Sequence, residues 1–133
     1  MRAEIAAGVL AAVIPFVCEA ASTVVVDAKR NCLSNTGNVS GGTPATFPLV
    51  PGRYVVSTSP NNMSCSAGVL TGGCLINSVM LQGGYGNNRW GTTITQPTVI
   101  DVPGNTSTYI AYVSDDACGD NTGQATLLIQ TAN

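Results

Sequence analysis

The chain has 133 residues, a formal net charge of −2 and only 9% charged side chains, against about a quarter in ordinary soluble proteins. That length suits one domain with one core, and without a basic surface there is nothing to neutralise nucleic-acid phosphates. Histidine is absent altogether, which excludes Ser-His-Asp and Cys-His nucleophiles, histidine general bases and histidine zinc ligands together.

Met1 to Ala20 reads as a secretory signal peptide. Arg2 precedes an apolar run from Ile5 to Val17, and the small residues Cys18 and Ala20 suit cleavage before Ala21. The run is too short to span a bilayer, so the mature domain, residues 21–133, is expected to be secreted, periplasmic or at the cell surface, with no membrane association after signal removal. Cleavage takes away Cys18 and both glutamates, Glu4 and Glu19. Cys32, Cys65, Cys74 and Cys118 remain, and an even number in an exported chain points to two disulfides. Three pairings are open. The favoured one joins Cys65 to Cys74 around a small loop and Cys32 to Cys118 across the domain.

The mature chain alternates short β-prone runs with turn clusters and nowhere sustains helical periodicity, the pattern of an all-β sandwich. Strands are expected over Ser22 to Ala28, Thr46 to Val50, Arg53 to Thr58, Cys74 to Leu81, Trp90 to Thr95, Thr98 to Val102, Thr106 to Ser114 and Gln124 to Thr131. Pro51-Gly52, Ser59-Pro60-Asn61-Asn62, Gly83-Gly84, Asn87-Asn88 and Pro103-Gly104-Asn105 supply the turns between them. Tyr109 and Tyr112 stand three apart on one strand and so face opposite sides, and the single tryptophan, Trp90, is expected against the core.

Between the last two strands, Asp115-Asp116-Ala117-Cys118-Gly119-Asp120-Asn121 gathers three of the chain's five aspartates. Unpaired carboxylates at this spacing repel one another. Calcium, which takes six to eight oxygen ligands from carboxylates, amides and carbonyls, removes that repulsion. The same residues are ordinary turn formers, so a solvated turn is the competing reading.

Three further stretches give the chain a family look: the strand Val24-x-Val26-x-Ala28, the Pro51-Gly52-Arg53-Tyr54 strand opening, and Tyr85-Gly86-Asn87-Asn88-Arg89-Trp90-Gly91. Together with Gly119-Asp120-Asn121-Thr122-Gly123, and in that order along the mature chain, they resemble the PA-I-type galactose-binding lectins of bacteria. The resemblance implies a jelly-roll-like antiparallel sandwich of about eight strands that binds a galactose-type sugar through Ca2+. It implies the Tyr85 carbonyl, Asp115 or Asp116, Asp120 and Asn121 as calcium ligands, completed by a carbonyl of Ala117 or Cys118. The family's segment carrying a histidine and a glutamine for the sugar's primary hydroxyl has no counterpart here, and Asp120 stands where the family has asparagine. Asn87, Asn88, Arg89 and Trp90 are the candidate sugar contacts.

The expected function is therefore a secreted calcium-dependent lectin, of a kind that gains avidity by multivalency as a homo-oligomer. The alternative is a calcium- and disulfide-stabilised structural or adhesive module, such as a surface or filament subunit. Catalysis is not expected, because glycosidases hold their carboxylate pair across a cleft and these aspartates share one loop.

Overall fold

Strand propensity here is carried by alternation. In a computed structural model that describes residues 21–36, 42–66 and 74–132, nearly every expected run is a strand. The proposed signal, Met1 to Ala20, lies outside the described residues. The described chain forms β1 (Ser22–Asp27), β2 (Cys32–Ser34), β3 (Ala45–Leu49), β4 (Gly52–Asn61), β5 (Ser64–Cys65), β6 (Cys74–Leu75), β7 (Val79–Gly83), β8 (Trp90–Ile94), β9 (Thr98–Val102), β10 (Ser107–Asp115), β11 (Asn121–Thr122) and β12 (Gln124–Thr131). The expected strand from Cys74 to Leu81 is two pieces, β6 and β7, interrupted at Ile76 to Ser78.

The long strands make two sheets. One runs β1-β12-β4-β9, antiparallel throughout. In the other, β10 pairs with β7 on one side, β7 with β8, and on its second side β10 takes β3 along Ser107–Ala111 and then β2, in parallel, along Val113–Asp115. Their inner faces close one core: Val26, Val56, Ile100, Leu127 and Ile129 from the first sheet meet Phe47, Val79, Leu81, Ile94, Tyr109, Ala111 and Val113 from the second. Each such aliphatic side chain, fully buried, contributes about 1.5 to 3 kcal/mol, and a one-residue slip in any strand would turn its whole set outward. The sandwich is thus the architecture that the β-prone runs and turn clusters predict.

Cys32 is bonded to Cys118 and Cys65 to Cys74, the favoured pairing. The first bond closes a separation of 86 residues and ties the start of β2 to the 3-10 turn Cys118–Asp120. Disulfides persist in oxidising compartments, which places the folded domain in an extracytoplasmic environment. Among the described residues no helix is long and apolar enough to cross a membrane.

Two local features trim the sheets. The β4–β12 register shifts between Ala125, opposite Asn61, and Leu127, opposite Thr58, a gap that holds Pro60, which has no N–H to give to the ladder. At the β4–β9 edge, Arg53 stands opposite Asp101 and donates from Nε at 2.7 Å and from Nη2 at 3.1 Å. That bidentate bond, with the Arg53 charge, holds the exposed Asp101 carboxyl below its ordinary range.

Candidate functional site

Strand β10 is the ruler for the candidate residues, because it runs the length of its sheet and carries one group of them at each end. At its C-terminal end Asp115 closes the strand, Asp116 is exposed, and the chain turns through Cys118–Asp120 into β11 and β12. The turn is pinned from three sides. Cys118 is bonded to Cys32, β11 pairs with β5 (Asn121 opposite Cys65, Thr122 opposite Ser64), and β2 runs beside Val113 to Asp115. The Ser64 and Thr122 hydroxyls lie 3.0 Å apart, and the Ser66 hydroxyl donates to the Asp120 carbonyl at 3.4 Å.

Within this frame the predicted ligands differ in availability. Asp115 is half-buried, and one of its carboxylate oxygens accepts from the Asp116 amide at 2.7 Å. Asp120 is half-buried as well. Asn121 is buried at 1% exposure, and its amide nitrogen donates inward, to the Ala28 carbonyl at 3.1 Å and towards Cys32 Sγ at 3.5 Å. Its Oδ1 is buried with no hydrogen-bond partner. A buried amide oxygen left unpaired costs about 1 to 3 kcal/mol, and water, an ion or stored strain are the usual accounts of such a group.

Among the described residues no three of the Asp, Glu and Cys side chains stand together as a ready-made metal cage. An ion here would need at most two carboxylates supplemented by amide and backbone oxygens, a mixture that calcium accepts.

The Tyr85 carbonyl does not belong to this set. Gly83 lies opposite Tyr109, so Tyr85 comes level with Ser107, at the N-terminal end of β10. At the rise of a strand, Ser107 and Asp115 are roughly 25 Å apart, ten times a calcium–oxygen distance of about 2.4 Å. The Tyr85 carbonyl accepts from the Asn88 amide at 2.9 Å in a tight turn. The resemblance assigned that ligand by motif order. In space the strand beside the aspartate loop is β5, Ser64–Cys65, and no local signal marked those two residues as its neighbours.

At the other end of β10 the structure does bring together part of the predicted sugar-contact set. Arg89 and Trp90, with Gln82, Gly83, Gly84, Tyr85 and the stretch Thr106 to Thr108, line a surface cavity of about 660 Å³, within the range of small-molecule sites. Asn87 and Asn88 are exposed in the turn and do not line it.

Trp90 is half-buried, serving core and cavity at once. Its ring packs on Tyr109 at 5.5 Å between centroids. Tyr109 in turn lies over Gly83, where a Cβ would run into its ring, and its hydroxyl is buried without a partner. Both strand tyrosines are buried on opposite faces as their spacing implies, with Tyr112 on the outer face accepting from the Gln82 amide at 2.6 Å.

Comparison of the chain with protein-family models, with curated proteins and with solved structures found no match.

Proposed function

We propose that this chain is a secreted calcium-dependent carbohydrate-binding protein in which the Asp115–Asn121 loop holds the ion and a sugar diol fills the open coordination positions. The observation that supports it is the buried, unpartnered Oδ1 of Asn121, on the same pinned loop as Asp115, Asp116 and Asp120. A hard cation satisfies a stranded amide oxygen together with one or two nearby carboxylates. The remaining ligands fall to Asp120 and to Asp115 or Asp116, with a carbonyl of Ala117 or Cys118. A galactose-type sugar is the substrate class.

The clamping of this loop by Cys32–Cys118 and β5 also suits a second reading, a structural or adhesive module in which protein and water close the ion's shell. One experiment separates the two. The mature protein is passed over immobilised galactose in calcium and then in chelator, beside a calcium titration of the wild type, Asp115→Ala and Asp120→Ala. Retention released by chelator is expected, with both variants weaker for calcium by tenfold or more, the order of one lost charged ligand. Calcium binding without retention would favour the structural module. An unchanged titration in both variants would remove the metal site.

A further inference from the structure

The cavity at the N-terminal end of β10 has a charge pattern of its own. Arg89 is its only charged lining residue, no carboxylate lines it, and the chain's ion pair among the described residues is Arg53–Asp101, elsewhere on the sandwich. All five aspartates lie off this cavity although the protein is net acidic. Around Arg89 the lining is what a sugar ring meets: the exposed Tyr85, the half-buried Trp90, and the polar residues Gln82, Thr106 and Thr108. Aromatic rings with polar edges cover the apolar face of such a ligand while amides and hydroxyls meet its oxygens.

We propose that this cavity is a second, metal-independent binding site that takes a carboxylate-bearing saccharide, a uronic-acid residue, with the carboxylate paired to Arg89. Guanidinium and carboxylate match as two parallel hydrogen bonds, which adds orientation to charge. The register separates the site from the Asp115–Asn121 loop by roughly 25 Å, so it stands whether or not that loop binds calcium.

The single tryptophan reports on the site directly. Trp90 fluorescence is titrated in chelator with trigalacturonate and with its methyl ester, which keeps the rings and removes the charge. Saturable binding of the acid is expected, with the ester at least roughly tenfold weaker, as for loss of one charge-assisted hydrogen bond. Arg89→Gln is expected to erase that difference with an unchanged melting temperature, because the side chain is exposed, and Tyr85→Ala to weaken acid and ester alike.

Equal affinity for acid and ester, or a preference that survives in Arg89→Gln, would overturn the proposal. So would equal binding of tripolyphosphate, which would reduce the site to a point charge. If the fluorescence is silent, amide chemical shifts of residues 82–90 that do not move on adding trigalacturonate overturn it too. Loss of calcium-dependent galactose retention would leave every one of these readings untouched.

Discussion

The two ends of β10 are built by opposite means. At its C-terminal end, pieces of only two or three residues, β2, β5, β6 and β11, are held by two disulfides and by contacts from distant parts of the chain. At its N-terminal end, a local hairpin from Val79 to Ile94, with Val79 opposite Ile94 and Gly83 opposite Trp90, forms one wall of the cavity, and the start of β10 forms the other. A loop that depends on crosslinks holds a fixed geometry only while they are intact. A hairpin packed by Trp90 on Tyr109 depends on the core alone. The two ends are therefore expected to fail separately, and that separation is what mutation can test.

The largest effect belongs to the crosslink. Cys32→Ser with Cys118→Ser is expected to destabilise the fold by about 4 to 5 kcal/mol in the chain-entropy account of so long a closure, seen as a lower denaturant midpoint. Calcium stabilisation should vanish with it, whereas the Trp90 response to trigalacturonate should persist below the new melting point. Loss of both responses at a temperature where the variant is still folded would show the ends to be coupled.

Calcium itself gives the next effect. At a hundredfold excess over its dissociation constant, an ion bound only by the folded state stabilises by about 2.7 kcal/mol. A calorimetric melting temperature that rises with calcium in the wild type and not in Asp120→Ala sharpens the assignment to the C-terminal end. Equal rises in both would move the ion elsewhere.

Gly83→Ala attacks the other end. The added Cβ would come within 2.5 Å of Tyr109 Cγ and 2.8 Å of its Cε1, and overpacking of this kind costs about 1 to 3 kcal/mol. The cavity response should weaken and the calcium-induced rise in melting temperature should remain.

The smallest effect lies at the β4–β9 edge, where Asp101 shares a surface pocket with Trp90. The Arg53 hydrogen bonds and charge lower the Asp101 carboxyl in the folded state, so this pair stabilises above the ordinary carboxylate range and loses that contribution as pH falls through the lowered value. Since both side chains are exposed, the contribution is small and salt-screened. Asp101→Asn should flatten only a slight acid-side slope in stability, and leave the calcium response unchanged.

Much of this was legible in the chain because it is local. β-Prone runs between turn clusters marked the long strands, since β-branched and aromatic side chains suit a half-buried pleated surface whatever the partner. Turn residues marked the breaks, and Trp90's role against the core followed from its being a lone large ring. Cysteine parity pointed to two bonds, and the pairing favoured among the three open ones is the pairing that the structure contains. The short strands β2, β5 and β11 carried no such signal. Two or three residues show no periodicity, and they are strands only because the crosslinks and β10 hold their backbones in line. The break at Ile76 to Ser78 was hidden for a related reason: Cys74 pairs with Cys65 in the small sheet, while Val79 pairs with Ile94 in the large one.

What the sequence determined by itself is the class of structure and the chemistry available: an all-β sandwich, two disulfides, no histidine, and a cluster of carboxylates on one loop. Which residues share a site was decided by tertiary structure alone. Tyr85 and Asp115 look like parts of one site in motif order, yet antiparallel pairing of β7 with β10 carries Tyr85 to the end opposite the aspartates. Register is a sum of packing and hydrogen bonds over residues far apart in the chain, and no stretch of sequence contains that sum.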